Sequence, residues 1–138
     1  MINSRNLADL LPRTAAKASA FINACKEAGI EVLITSTYRD NESQAALYAQ
    51  GRTKSGPRVT NADAGYSAHN HRVAFDFVPI VMGKAVWDDH VLWNRCGAIG
   101  RALGLEWGGD FKSFPDKPHF QDLNGHSLAD YRAGKVAV

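Results

Sequence analysis

Several features common in secreted, membrane-spanning or nucleic-acid-binding proteins are scarce or missing in this chain. Cysteine occurs only at Cys25 and Cys96, and neither belongs to a CxxC pair, which argues against a disulfide framework and against a cysteine-based zinc site. No stretch approaches the roughly 18 apolar residues of a membrane span, and no apolar segment of a secretory signal follows Arg5. The formal net charge of +2 is too small to indicate nucleic-acid binding. We therefore expect a soluble protein made in the cytoplasm, without stable membrane association.

The residues that are present have the composition of one ordered domain. Of the 138 residues, 45% are hydrophobic and 22% are charged, which argues against extensive disorder. Both cysteines fall in predicted helices, where we expect buried free thiols, although the sequence leaves a disulfide between them open. Apolar spacing and capping residues predict helices over 12–28, 41–50, 89–103 and 127–133, and strands over 30–36, 72–80, 85–87, 106–111 and 118–121. Because helices and strands do not alternate regularly, the predicted class is α+β.

Histidine and aspartate are concentrated in two short segments. The first is Ser67-Ala-His-Asn-His-Arg-Val-Ala-Phe-Asp76, and the second is Asp116-Lys-Pro-His119. A catalytic zinc site needs three protein ligands, an open position for water and a nearby base. His69, Asp76 and His119 are a ligand set of the right types, and Asp116 is placed to be the base. The pattern predicts a hydrolase that binds one zinc ion.

Two local features support this ligand set. Alternation along the predicted strand 72–80 places Asp76 on the face opposite the two phenylalanines of that strand, away from an apolar core. Pro118 fixes the backbone just before His119 and disfavours helix at the preceding residue. Both candidate ligands are thereby expected on extended segments, where a side chain can point away from the core.

The spacing alone leaves alternatives open, because the i, i+4 histidine pair of a helical HExxH site is absent. His69 and His119 each have the alternative of a structural, hydrogen-bonded histidine. Asp116 has the alternative of a solvated turn aspartate. His71 competes with His69 as a ligand, since residues i and i+2 of an extended segment share a face.

Arg39 and Asp116 are the candidates for chemistry beside the metal. Arg39 follows the predicted strand 30–36, where its guanidinium would bind a substrate carboxylate or the oxyanion of a tetrahedral intermediate. The alternative is a surface arginine at a strand end. Asp116 would accept a proton as the nucleophile attacks an amide carbonyl and deliver it to the leaving amine.

Longer motifs carry a family resemblance across residues 30–121. They are Thr37-Tyr-Arg39 with Gln44 following, Ala46-Leu-Tyr-Ala-Gln-Gly-Arg-Thr-Lys54, Val59-Thr-Asn-Ala62, Ser67-x-His69-Asn, Ala74-Phe-Asp76, Trp107-Gly-Gly-Asp-Phe-Lys-Ser-Phe114 and Asp116-x-Pro-His119-Phe. On these motifs the chain resembles the peptidoglycan L-alanyl-D-glutamate endopeptidases of the D-Ala-D-Ala metallopeptidase (LAS) group, which occur as phage endolysins and bacterial autolysins.

The resemblance implies a fold and a role for seven residues. The implied fold is a small antiparallel sheet with helices packed on it, the LAS-type zinc peptidase fold. The zinc ligands would be His69, Asp76 and His119. The catalytic base would be Asp116, and the group that steadies the substrate or transition state would be Arg39. Ser67 and Gln44 would support the site or contact the substrate.

The implied activity is hydrolysis of the amide between L-alanine and D-glutamate in peptidoglycan stem peptides, performed by a monomeric phage endolysin with one zinc ion. One alternative is a D-Ala-D-Ala carboxypeptidase or dipeptidase on the same scaffold. Another is a non-catalytic, zinc-stabilised wall-binding module, against which Asp116 argues because a structural zinc site needs no base.

The resemblance also sets expectations about context. Little sequence follows Gln121, so we expect residues 1–138 to form a single catalytic domain without a separate wall-binding domain, as suits the thin wall of a Gram-negative host. Without a signal peptide, access to the cell wall in the periplasm would require a holin-type membrane lesion. The family pattern usually has glycine at the position of Arg72 and an aromatic residue at the position of His71. We expect Arg72 to lie in a strand and to affect how stem-peptide carboxylates are held.

Overall fold

The computed structural model describes residues 1–136, in which helices pack on one five-stranded antiparallel sheet. The helices are α1 (Pro12–Glu27), α2 (Asn41–Ala49), α3 (His90–Ala102) and α4 (Leu128–Arg132). The strands are β1 (Glu31–Ser36), β2 (Ala74–Val81), β3 (Lys84–Ala85), β4 (Glu106–Trp107) and β5 (His119–Gln121). Their order is β1-β2-β5-β4, with β3 paired to β2. The α+β prediction is confirmed, and no helix within the described residues has the length and apolarity to cross a bilayer.

Helix α1 supplies the centre of the core. Proline at its first position is preorganised for a helix start, and its buried residues recur at helical spacing from Thr14 to Cys25. Phe21, which is fully buried, packs with ring centroids 4.9 Å from Phe77 of β2 and 4.8 Å from Phe120 of β5. Buried aromatic rings of this size dominate the energetics of a protein core. The helix is thereby fixed on one face of the sheet.

Helix α3 packs on the same face of the sheet through two glycines. A Cβ atom at Gly97 would overlap the ring of Trp107, and one at Gly100 would overlap the ring of Phe120. The missing side chains therefore allow the helix to approach β4 and β5 closely. Cys25 of α1 and Cys96 of α3 are fully buried and free, as expected for small apolar residues.

Strand β2 divides the sheet into a core face and a polar face. Phe75 and Phe77 point into the core and are fully buried. Asp76 lies between them in sequence and directly opposite His119 of β5 in the antiparallel register. Because alternate residues of a strand face opposite sides, the carboxylate and the imidazole share the face away from the aromatic core.

Three predicted strands have wrong boundaries. The strand predicted over 85–87 is observed as β3 (Lys84–Ala85), and the other two differ for identifiable reasons. The strand predicted over 72–80 begins at Ala74, because a 3₁₀ turn over Ala68–His71 ends at Arg72, whose φ of 63° is left-handed. The strand predicted over 106–111 ends at Trp107, because a second 3₁₀ turn follows over Gly108–Asp110. Both turns lie beside the candidate metal centre, where the backbone must change direction between the sheet and the cleft.

Candidate metal centre

His69 is carried by the 3₁₀ turn over Ala68–His71. Ser67 caps this turn, its hydroxyl accepting a hydrogen bond from the backbone N–H of His69 at 3.2 Å. The Asn70 amide donates to the carbonyl of Arg39 at 2.9 Å, which fixes the turn against the end of β1. His69 itself is 3% exposed. A short turn with side-chain partners at both ends thus holds the imidazole in one place.

Asp76 and His119 complete a cluster with His69. The three candidate ligand atoms lie within 4.8 Å of one another. Oδ1 of Asp76 lies 3.1 Å from Nε2 of His69 and 3.3 Å from Nδ1 of His119. The two imidazole rings are 5.2 Å apart between centroids. Residues separated by up to fifty positions in sequence therefore converge on one point.

The other nitrogen of each imidazole has an oxygen partner. Nδ1 of His69 lies 2.8 Å from the carbonyl oxygen of Thr37, and Nε2 of His119 lies 2.8 Å from Oε1 of Gln121. Since these oxygens accept hydrogen bonds, the partnered nitrogens carry the protons. The nitrogens that face Asp76 then present lone pairs in the neutral rings. Orientation of a metal-binding histidine by such a partner is the usual arrangement at metal sites.

This arrangement suits a cation. Two nitrogen lone pairs and a carboxylate oxygen converge without an intervening proton, and they repel one another unless a positive charge lies between them. Two imidazoles and one carboxylate are among the three-ligand sets of catalytic zinc. When no cation lies there, a proton on either imidazole can face the carboxylate instead; burial then acts to raise the pKa of the Asp76 carboxyl, but interaction with His69 and His119 outweighs burial and holds that pKa well below its usual range. The residues present therefore fit a zinc ion.

His71 lies outside the cluster. Its Nε2 is 2.8 Å from the carbonyl oxygen of Gly65, and its ring packs 5.8 Å from that of Tyr131. The 3₁₀ turn, with about three residues per turn, points residues 69 and 71 in different directions, whereas an extended segment would have given them a common face. Of the two histidines, the structure brings only His69 to Asp76 and His119.

Arg39 faces the cluster from the end of β1. Its Nη1 donates to Oε1 of Gln44 at 2.9 Å and its Nη2 to Oγ of Ser36 at 3.2 Å, while its buried Nε has no hydrogen-bond partner. Burial lowers the pKa of the Arg39 guanidinium, against the opposing pull of the carboxylates of Asp76 and Asp116. The guanidinium is thus held on one side and has unused donor capacity.

Asp116 enters the cleft from the loop before β5. Its backbone N–H donates to the carbonyl of Gly108 at 2.8 Å, and its own carbonyl accepts from the N–H of His119 at 3.1 Å. A Cβ atom at Gly108 would collide with the Asp116 carbonyl, so this close approach requires glycine. Burial raises the pKa of the Asp116 carboxyl, with the charge of Asp76 acting in the same direction. A carboxyl of this kind suits proton transfer.

A cleft of about 630 Å³ opens over the cluster. The cleft is lined by Arg39, the three candidate ligands and Asp116, and residues of the long loop over 51–66, which follows α2, form one wall. Three exposed apolar side chains stand at the cleft, namely Val59, Tyr66 and Phe114. The Gln44 amide donates to the carbonyl of Ala62 at 2.6 Å and so attaches the loop to the Arg39 side.

Some contributors to the site escaped sequence reasoning. The Thr37 carbonyl orients His69, the Gln121 side chain orients His119, and Asn70 joins the turn to β1. For Gln121 a signal existed, since residues i and i+2 of a strand share a face. For the Thr37 carbonyl no sequence signal exists, because every residue has a carbonyl.

Comparisons with known proteins identify relatives of this chain. A family model described as D-alanyl-D-alanine carboxypeptidase matches residues 60–122, which include all three candidate ligands and Asp116. The chain is 40% identical over 122 residues to the peptidoglycan L-alanyl-D-glutamate endopeptidase CwlK of Bacillus subtilis (strain 168), covering 82% of this chain and 73% of that protein. It is 37% identical over 124 residues to the L-alanyl-D-glutamate peptidase of Listeria phage A118, covering 86% of this chain and 41% of that protein.

A solved structure shares the fold. The crystal structure of the L-Ala D-Glu endopeptidase ChiX of Serratia marcescens superposes with a TM-score of 0.66 at 21% identity, covering 95% of this chain and 92% of that one. The family is shown by the identity to CwlK over most of both lengths. The chain belongs to the peptidoglycan L-alanyl-D-glutamate endopeptidases of the D-Ala-D-Ala metallopeptidase group.

Proposed function

We propose that the protein hydrolyses the amide between L-alanine and D-glutamate in peptidoglycan stem peptides, as a phage endolysin that binds one zinc ion. The observation that carries this proposal is the convergence of His69, Asp76 and His119 at the floor of a cleft that also holds Asp116. Membership of a family of endopeptidases supports the choice of bond, and the phage relative supports the biological setting.

His69, Asp76 and His119 would hold the zinc ion. A bound zinc ion supplies Lewis acidity and lowers the pKa of a coordinated water to about 7. His69 and His119 contribute imidazoles whose orientation is fixed by Thr37 and Gln121, respectively. Asp76 contributes the negative charge of the set. Three protein ligands leave room for water and substrate, which is the arrangement of catalytic rather than structural zinc sites.

Asp116 would move the proton. Its carboxylate accepts a proton from the attacking water and then donates that proton to the amine that leaves when the amide C–N bond breaks. The raised pKa of its carboxyl helps both halves of this transfer, since a stronger base also makes a usable acid near neutral pH. No other carboxyl lines the cleft besides those of Asp76 and Asp116 within residues 1–136.

Arg39 would receive negative charge from the substrate. The stem peptide carries carboxylates, and the carbonyl oxygen under attack develops negative charge, so a fixed guanidinium with unused donors stabilises either group. Gln44 and Ser36 hold the guanidinium in advance, which avoids reorganisation during the reaction. Ser67 would support the site through the turn that carries His69.

The proposal extends to the cellular setting. A phage enzyme of this activity acts on the wall, and we propose that this one acts as a monomer after a holin-type partner has permeabilised the membrane. Peptidoglycan would be its macromolecular substrate, reached along the cleft between the 51–66 loop and Phe114.

Product analysis tests the proposal directly. Purified Gram-negative peptidoglycan is digested with the protein as purified, after chelation, and after zinc is restored, and the soluble products are identified by mass spectrometry. We expect stem peptides freed at L-alanine only when zinc is present. Free D-alanine with an intact L-alanyl-D-glutamate bond would instead indicate the carboxypeptidase alternative. A folded, zinc-loaded protein that releases no product would indicate a wall-binding module.

A further inference from the structure

The polar face of the sheet continues beyond the candidate ligands onto the edge strand. In the antiparallel register, Asp76 lies opposite His119, and Gln121 lies opposite Glu106 of β4. His119 and Gln121 are two residues apart in β5 and therefore project from the same face. The result is a row of polar side chains that crosses three strands, from the cluster to an exposed carboxylate at the sheet edge.

Hydrogen bonds join this row into a relay. Nε2 of His119 lies 2.8 Å from Oε1 of Gln121, and Nε2 of Gln121 donates to Oε2 of Glu106 at 2.7 Å. The inner members are buried, with His119 at 7% and Gln121 at 8% exposure. Gln121 lines the cleft over the cluster and also a second cleft of about 400 Å³ that contains Glu106. The relay thus connects the candidate metal centre to a different surface.

The chemistry of the groups gives the relay a direction. A carboxylate only accepts hydrogen bonds, so Glu106 requires the amide NH₂ of Gln121 to point towards it. The amide oxygen of Gln121 must then point towards His119, where it accepts a hydrogen bond. His119 consequently carries its proton on Nε2 and presents a lone pair on Nδ1, the nitrogen that faces Asp76. Each hydrogen-bond orientation follows from the one before, and the first is fixed by the carboxylate of Glu106 at the surface.

We propose that Glu106, acting through Gln121, is a positioning residue that sets the metal-binding tautomer of His119. The inference rests on the proposed zinc site and extends it to Glu106, a residue to which that function gives no role. Without the carboxylate, the Gln121 amide can turn over and offer its NH₂ to His119. The imidazole then places its proton on Nδ1, where it blocks coordination. Glu106 therefore strengthens zinc binding without touching the cleft.

Zinc affinity, measured by competition with a chelator of known affinity, tests the relay. E106Q keeps the size of the side chain at an exposed position but can either donate or accept, so it no longer dictates the amide orientation. Q121L removes the relay altogether. Loss of such outer partners typically weakens metal binding by about 10–100-fold. We expect Q121L to fall in this range and E106Q to weaken binding by about tenfold.

An exchanged pair separates orientation from packing. The double variant E106Q/Q121E moves the carboxylate next to His119 and puts the amide at position 106, so the acceptor facing His119 is restored. We expect its zinc affinity to return to within about threefold of the wild type, well above that of E106Q, because orientation by a carboxylate is the common arrangement at zinc histidines. E27Q, at the exposed end of α1, is the matched control and should bind zinc like the wild type.

The outcomes distinguish this inference from the proposed function. If E106Q and Q121L bind zinc as tightly as the wild type, the relay is wrong while the metal site stands. If both single variants weaken binding but the exchanged pair does not recover, Gln121 acts only through packing and the inference is again overturned. If the wild type itself binds no zinc, or if H119A binds zinc as tightly as the wild type, the proposed metal site fails and the inference fails with it.

Discussion

Arg39 donates a hydrogen bond of 2.9 Å to Gln44, so the guanidinium that faces the cleft is held by an amide that is fully buried. The other end of the same amide donates to the carbonyl of Ala62 at 2.6 Å. Gln44 therefore connects two separate parts of the cleft, the arginine at the end of β1 and the loop that forms one wall. A single side chain of α2 therefore holds the arginine and the loop in fixed positions relative to each other.

Replacing Gln44 with leucine should damage stability and activity together. Q44L fills the space but leaves an Arg39 N–H and the Ala62 carbonyl without partners, and each buried unsatisfied group costs about 1–3 kcal/mol. We expect the free energy of unfolding in urea to fall by about 2 kcal/mol or more, and peptidoglycan hydrolysis to fall with it because Arg39 loses its fixed orientation.

Gln50 provides the control in the same helix region. Its amide donates to the carbonyl of Pro57 at 3.0 Å in an exposed position, where water replaces a lost partner. Q50L should therefore lower the unfolding free energy by no more than about 0.5 kcal/mol. Equal losses in Q44L and Q50L would show that the buried amide has no special part in holding the cleft.

Asp116 should be required for turnover but not for zinc binding. D116N keeps the shape of the side chain and removes its ability to accept a proton, so we expect stoichiometric zinc, an unchanged unfolding midpoint, and a loss of about 10²–10⁴ in kcat. D110N is the matched control, because Asp110 is exposed and pairs with Arg101 on the surface. A D116N protein with near-normal turnover would remove Asp116 from the role of base.

The three candidate ligands should be separable from His71 by metal analysis. H69A and H119A each remove one of three ligands, and we expect both proteins to lose zinc and activity. H71A removes a contact to the Gly65 carbonyl and packing against Tyr131, neither of which reaches the cluster. It should retain one zinc per chain, with at most a modest loss of stability. Zinc loss in H71A together with zinc retention in H69A would reverse the assignment.

Local sequence signals predicted helix caps, helix ends and the alternation of side chains along a strand. The helix predicted over 41–50 begins after Asp40, a residue type that caps helices, and the Asp40 carboxylate accepts from the N–H of Ser43 at 2.8 Å. Alternation around Asp76 predicted which of its neighbours enter the core, because a strand has a fixed period of two. The α3 prediction over 89–103 differs by one residue at each end from the observed helix, which is bounded by an Asp89 cap and Gly104.

The relations between distant segments could not be read from residue patterns. The pairing of Asp76 with His119 and of Gln121 with Glu106 depends on the register of strands that are far apart in sequence. The Thr37 carbonyl that orients His69 is a backbone group with no sequence signature. The family resemblance indicated which residues meet, but it supplied neither the tautomers nor the partners that fix them.

Arg72 shows how a local exception can mislead a strand prediction. The family pattern has glycine at this position, and the structure explains why, since a φ of 63° is left-handed and favours glycine. Arg72 does not line the cleft. Its guanidinium lies 3.8 Å from the ring centre of Tyr38 and donates to the carbonyl of Asp9 at 2.8 Å. The expected effect on substrate carboxylates therefore has no support in the geometry.

At position 72, glycine should give a more stable protein than alanine, which is the reverse of their order in ordinary helices or strands. R72A and R72G both lose the contacts to Tyr38 and Asp9, a cation–π interaction of about 0.5–2 kcal/mol and a hydrogen bond of about 1 kcal/mol. Only R72G also releases the left-handed strain, which costs a residue with a Cβ atom about 1 kcal/mol. We expect the free energy of unfolding in urea to be about 1 kcal/mol higher for R72G than for R72A. Both values should be lower than that of the wild type.

Activity separates this structural role from substrate recognition. Because Arg72 binds Tyr38 and Asp9 outside the cleft, R72A and R72G should hydrolyse peptidoglycan at close to the wild-type rate under conditions where both are folded. A specific rise in KM without loss of stability would mean that the guanidinium reaches the substrate after all. An R72A protein as stable as R72G would contradict the left-handed backbone, because at positive φ the strain of alanine should outweigh its smaller unfolded-state entropy.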